Sequence, residues 1–153
     1  MRTQALEKAF RATTYQVETP EGIFSLRIGI SNPAFDDFLR RKAVHTWAVI
    51  TACNPGGVRH DQKNAQRQMQ LRDRLQALGW FSLPASTLAD DGQWPAEPGF
   101  LLLQIGEEEV SPLAAEFSQL AFVCGDRGTA PRLVWIGEEA HGAGGAIGQP
   151  GLR

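Results

Sequence analysis

Residues 46–52 read TWAVITA, a mostly apolar run rich in β-branched residues. This composition is typical of a strand at the centre of a sheet, buried on both faces. The segment PGG at 55–57 ends the run. Residues 61–78, rich in Gln, Arg and Leu and followed by Gly79, then form the clearest helix of the chain. A buried strand followed by a long helix therefore decides the fold.

Shorter patterns on either side of this pair predict further elements. Apolar residues recur at helical spacing in 2–14 and 109–119, and Asn32 followed by Pro33 is typical of a helix start. Residues 87–99 are predicted to be irregular. Strands and hairpins are predicted for 14–29, 80–86, 100–106, 120–124 and 131–136. This order predicts an α+β domain, or an irregular α/β layer, with a single mixed β-sheet and about four packed helices.

The chain divides into one domain and a tail. At 153 residues it has the length of a single domain, which we assign to residues 1–136. Residues 137–153 hold six of the 16 glycines and almost no core-forming residues. Because they lack the Lys and the following helix of a phosphate loop, they are predicted to be a disordered tail.

Composition argues against several classes of function. The formal net charge is −2, so no bulk positive field favours nucleic acid. No apolar run approaches the roughly 20 residues of a membrane span, and residues 1–10 lack the apolar block of a secretory signal. The two cysteines and three histidines show no metal-ligand spacing. We therefore expect a cytoplasmic protein with reduced thiols, no metal, no cofactor, and neither a membrane nor nucleic acid as partner.

One face of the long helix changes from apolar to polar along its length. Leu71, Leu75 and Leu78 mark its buried side, and the same side carries Asn64, Arg67 and Gln68 in the first half. Ligands of sheet-and-helix folds favour the carboxyl ends of strands, and this helix follows one. The polar side chains, with Asn54 and the amides at 56–57, would suit an anion or the polar edge of a ligand. Alternatively, Asn64 satisfies loop backbone groups and Arg67 pairs with Glu97 as a structural tie.

Three further residues are candidates. Trp94 and Glu97, on an irregular segment before a buried strand, could form the wall and floor of a pocket. Alternatively, Trp94 covers the core and Glu97 is a charge exposed to solvent. Gln119 lies at the end of a predicted helix. Considered alone, it is interpreted as a helix cap or a surface residue. A nucleophilic role for Cys53 would need a nearby base that lowers its pKa.

Several of these residues form a series that resembles the bacterial domain of unknown function family 3293. The resemblance covers about residues 12–135, and its signature is ITACNPGG at 50–57, Asn64-x-x-Arg67, Leu71-x-x-x-Leu75-x-x-x-Gly79, Trp94-Pro95-x-Glu97, Phe117-x-Gln119 and Pro131-Arg132-Leu133. The resemblance implies no established activity. It does imply that the family's signature positions fall on polar residues already named as candidates and on one proline. These residues are Asn54, Pro55, Asn64, Arg67, Trp94, Glu97 and Gln119.

Three functions are consistent with this pattern. The first is binding of a small polar or anionic ligand, nucleotide-like or a carboxylate, by Asn54, Asn64, Arg67, Trp94, Glu97 and Gln119. The second is a hydrolase or transferase at the same pocket, with Glu97 as the candidate catalytic base. The third is a regulatory domain that docks on a protein partner or forms a homodimer.

Overall fold

The computed structural model describes residues 3–54, 56 and 61–137, so the predicted tail beyond Gly137 lies outside the described residues. The helices are α1 (Gln4–Arg11), α2 (Pro33–Arg41), α3 (Asp61–Leu78) and α4 (Glu107–Glu116). The strands are β1 (Thr13–Thr19), β2 (Gly22–Leu26), β3 (Thr46–Ile50), β4 (Ser82–Ala89), β5 (Glu97–Leu103), β6 (Ala121–Asp126) and β7 (Arg132–Trp135).

The strands form one seven-stranded sheet in the order β2-β1-β4-β5-β3-β6-β7. The α+β class is therefore confirmed. Every ladder is antiparallel, however, so the expectation of a mixed sheet is wrong. The reason is that no helical connection joins neighbouring strands, and the connections through α3 and α4 each skip one strand. The connection through α3 leads from β3 to β4, and β5 lies between them; the connection through α4 leads from β5 to β6, and β3 lies between them.

Strand β3 lies in the interior of the sheet, between β5 and β6, and has core on both of its faces, as its composition predicted. Successive side chains of a strand point to opposite faces. Trp47 and Val49 pack with the residues of α2, whereas Ala48 and Ile50 pack with those of α3 and α4. We call these the α2 face and the α3 face of the sheet.

The helices begin and end for local reasons. The side chain of Asn32 caps α2 by accepting a hydrogen bond from the Phe35 amide at 3.0 Å, and Pro33 follows as predicted. Helix α3 is followed by Gly79, whose φ of 73° is a conformation that glycine adopts without strain. Helix α1 is shorter than the predicted 2–14, because β1 begins at Thr13.

Two local expectations need correction. The stretch 87–99 is mostly strand, because Thr87 of β4 pairs with Glu97 of β5 and leaves only residues 90–96 as a connection. On α3, Leu71 and Leu75 are buried as predicted, but Leu78 is 37% exposed. It is the last residue of the helix, and the chain turns away from the core at the next one.

Helix α3 provides a direct test of this packing. Leu71 is fully buried and should lose about 2–5 kcal/mol of stability on replacement by alanine, from lost apolar burial and the resulting cavity. Leu78→Ala, the matched change on the same helix, should cost less than about 1 kcal/mol. Urea unfolding of both variants measures the difference. Equal losses of unfolding free energy in the two variants would contradict the packing of α3.

Candidate functional site

A cavity of about 420 Å³ opens on the α2 face of the sheet, at the end of β3. Its floor comes from alternate residues of neighbouring strands, which share that face with Val49. Helix α1, through Leu6 and Phe10, and the connection 90–96, through Trp94, add walls. Strand residues that line the cavity include Thr13, Tyr15, Val49, Thr87, Ala89, Glu97, Ala121 and Val123.

A close approach of two strands shapes the end of β3. Gly99 of β5 leaves room for the chain, because a Cβ there would lie 2.6 Å from the Ile50 carbonyl oxygen. Just beyond, the Thr51 hydroxyl donates to the Pro98 carbonyl at 2.8 Å and accepts from the Cys53 amide at 3.1 Å. These contacts turn the chain after β3 along the start of β5 and bring residue 54 beside Glu97.

Asn54 is the polar centre of the site. It is buried, with 7% of its surface exposed, and its φ of 51° is a left-handed conformation that Asn tolerates better than most residues. Its amide N–H donates to Asn64 Oδ1, and its own Oδ1 accepts from Asn64 Nδ2, both at 2.9 Å. Its Nδ2 donates to Glu97 Oε2 at 2.8 Å. Asn54 therefore connects α3 to β5 across the end of β3.

The Glu97 carboxylate is held by neutral donors. Besides Asn54, the Trp94 indole Nε1–H donates to the same oxygen, Oε2, at 2.6 Å. Within the described part of the chain, no cationic side chain forms an ion pair with Glu97. In particular, the ion pair with Arg67 that the sequence suggested does not form. Glu97 thus lies at the cavity with a fixed orientation.

Gln119 belongs to the same end of the sheet. Its Nε2 donates to the Cys53 carbonyl at 3.0 Å, so it ties the segment after α4 to the residue that precedes Asn54. Next to it, the Gly56 amide donates to the Ser118 carbonyl at 2.6 Å. That amide is therefore already occupied, and Gly57, its expected partner in binding an anion, lies outside the described residues.

The six predicted site residues separate into two groups. Four of them line the cavity: Asn54, Trp94, Glu97 and Gln119. Asn64 and Arg67 do not, because α3 packs on the α3 face, and Asn64 acts on the cavity only through Asn54. The Nη1 atom of Arg67 is buried without a hydrogen-bond partner. Gln68, on the same side, accepts weakly from the Ala52 amide at 3.5 Å.

Other lining residues were missed by sequence reasoning. Tyr15, Thr87 and Asp91 belong to the cavity, as does Phe10 of α1. The alternation of side chains along β1 and β4 predicts the face on which Tyr15 and Thr87 lie. It does not predict that β4 lies between β1 and β5 in the sheet. Nothing in the sequence of α1 indicates that its apolar side covers a cavity.

Two titratable groups of the cavity are neutral at physiological pH. Burial, and then the charge of Glu97, raise the pKa of Tyr15. Burial is also the main cause that raises the pKa of the Cys53 thiol, with opposing smaller effects from Thr51 and Arg67. Since a nucleophilic cysteine needs a lowered pKa, Cys53 is not activated here.

The described residues offer no evident place for a metal ion. No group of three or more His, Cys, Asp or Glu side chains within 3–54, 56 and 61–137 is arranged to hold one. In the same ranges, no helix has the length and apolar character needed to cross a lipid bilayer.

Comparison with known proteins shows similarity to one family of unknown function over part of the chain. Residues 50–122 match the model of the family described as "Protein of unknown function (DUF3293)". The resemblance inferred from the motifs is therefore confirmed over this segment, which contains Asn54, Asn64, Arg67, Trp94, Glu97 and Gln119. No curated protein and no solved structure gives a significant match.

The role of Asn54 can be separated into hydrogen bonds and backbone conformation. Asn54→Gly keeps the left-handed conformation without strain but leaves groups of Glu97 and Asn64 without their partner, which should cost about 1–3 kcal/mol. Asn54→Ala should cost about 1 kcal/mol more, because alanine is strained at this φ. Chemical denaturation measures both changes. An alanine variant as stable as the glycine variant would contradict the assigned backbone conformation.

Proposed function

We propose that the protein binds a small polar molecule in the cavity at the end of β3. The observation that carries the proposal is the combination of an open cavity of suitable volume with polar groups gathered at one end. About 420 Å³ lies within the roughly 300–1,000 Å³ of small-molecule sites. Such sites are mostly apolar with a few placed polar groups, as this cavity is.

The lining favours a flat ligand with a polar edge. Phe10, Tyr15 and Trp94 provide aromatic surface. Asn54 and Gln119 provide side-chain amides at one end, already held in place by their bonds to Glu97 and Cys53. Polar groups that are fixed before binding lower the entropic cost of ordering them around a ligand.

Among the ligand classes suggested by the sequence, a nucleobase-like ring is better supported than a carboxylate. The described lining contains no Lys, Arg or His, so no cationic group contacts an anion there. Arg67, the residue expected to bind an anion, lies on the other face of the sheet. We therefore assign Arg67 and Asn64 a supporting role outside the cavity.

The alternatives have less support. For catalysis, Cys53 is not activated, and the Gly56 amide already donates to Ser118. For docking of a partner on α1, the apolar residues Leu6 and Phe10 are half-buried over the cavity rather than free. The cytoplasm is the compartment we propose, supported by two buried free thiols.

A pair of bulky substitutions on β4 tests the proposal. Thr87 lines the cavity, whereas Ser86 points to the opposite face of the same strand. A thermal-shift screen of nucleosides, nucleobases and small heteroaromatic compounds should give hits with the wild type. A ligand present at 100 times its dissociation constant adds about 2.7 kcal/mol of stability.

Thr87→Phe should remove these hits by filling the cavity, and Ser86→Phe, the matched control, should retain them. Hits that survive Thr87→Phe would show that the ligand binds elsewhere. A screen without any hit would contradict small-molecule binding.

A further inference from the structure

We infer that the ligand of this cavity carries a positive charge, which Glu97 binds, next to a flat apolar body. The inference rests on the proposed function, since it specifies the class of molecule that the cavity takes. It predicts an organic cation, such as an amidine or a protonated amine attached to a ring.

The charges that the described residues place at the cavity have one sign. Among these lining residues, Asp91 and Glu97 are charged and none is cationic. A concave site with like charges and low-dielectric walls concentrates the field of those charges. It therefore attracts cations and repels carboxylates and phosphates.

Glu97 is the group best placed to pair with a ligand. It is half-buried, and a partly desolvated carboxylate is costly unless a partner compensates its charge. Both of its donors, Asn54 Nδ2 and Trp94 Nε1, are neutral, and both bind Oε2. A carboxylate has about four acceptor positions on its two oxygens. No donor of the described residues binds Oε1, so this oxygen can accept from a ligand.

Two cationic side chains of the described chain that act on cavity residues, Arg27 and Arg67, do not fill this role. Arg27 is engaged outside the cavity, where its guanidinium donates twice to Asp90, at 2.6 and 2.9 Å. Arg67 projects from α3 on the other face of the sheet and forms no ion pair with Glu97. Burial is the main cause that raises the pKa of Tyr15 and of Cys53. The charge of Glu97 adds to both shifts, and Arg27 at Tyr15 and Arg67 at Cys53 oppose it.

The walls suit the remainder of such a ligand. Phe10, Tyr15 and Trp94 line the same space, and aromatic rings attract organic cations through their negative faces as well as through apolar contact. A flat cation would thus meet Glu97 at one end and aromatic surface along its body.

Three compounds of nearly identical shape separate charge from fit. Benzamidine is a cation at neutral pH, benzamide is neutral, and benzoate is an anion. Isothermal titration should show that benzamidine binds the wild type about tenfold more tightly than benzamide, because a charge-assisted hydrogen bond replaces a neutral one. Benzoate should bind more weakly than either.

The preference should depend mainly on Glu97, the carboxylate that contacts the ligand. Glu97→Gln keeps an acceptor for Asn54 and Trp94 but removes the charge. The ratio of the association constants of benzamidine and benzamide should therefore fall to near one. Glu108→Gln, at an exposed position on α4, changes the net charge equally and should leave the ratio unchanged. A thermal melt of both variants confirms that they are folded.

The outcomes distinguish this inference from the proposed function. Equal binding of benzamidine and benzamide, abolished by Thr87→Phe, would overturn the inference and leave the binding cavity intact. A preference that survives Glu97→Gln would also overturn it. Absence of binding by all three compounds would count against the proposed function itself.

Discussion

The site depends on one buried amide. Asn54 lies just beyond the end of β3, in a left-handed conformation, and its side chain and backbone are bonded to Asn64 on one side and Glu97 on the other. A buried polar group of this kind is stable only while its partners are in place. The position of α3 on one face of the sheet and the orientation of Glu97 on the other are therefore coupled through a single residue.

The orientation of Glu97 in turn determines the chemistry of the cavity. Its carboxylate is bonded to Asn54 and Trp94 through one oxygen, and both donors are uncharged. These bonds fix the carboxylate without neutralising it. The close approach of the chain over Gly99 is what makes this arrangement sterically accessible, because any larger residue there would meet the Ile50 carbonyl.

Sequence reasoning reached the elements that are continuous in the chain. The buried β3 and the long α3 are confirmed, and so is the resemblance to the family that residues 50–122 match. It also grouped Arg67 with Asn64, since both lie on the apolar side of α3. That side packs on the α3 face, however, so only Asn64, near the end of β3, reaches a residue of the cavity.

The remainder could not be predicted for physical reasons. The stretch 87–99, predicted to be irregular, includes Pro98, yet this proline is tolerated in β5 because the β3 ladder on β5 begins only at Phe100. The sheet is antiparallel because β3 and β5 each lie between strands that a helix connects. Phe10 and Tyr15 reach the cavity through pairings between segments far apart in sequence, which no local pattern encodes.

The most direct measurement of the central claim is a ¹H–¹⁵N spectrum of the side-chain N–H groups during titration with benzamidine. Our account predicts that the Trp94 indole and Asn54 amide resonances shift together with one midpoint, since both groups donate to the carboxylate that the ligand contacts. The Trp80 indole, packed against the core of the α3 face, should not move. Shifts at Trp80 without shifts at Trp94 and Asn54 would contradict the account.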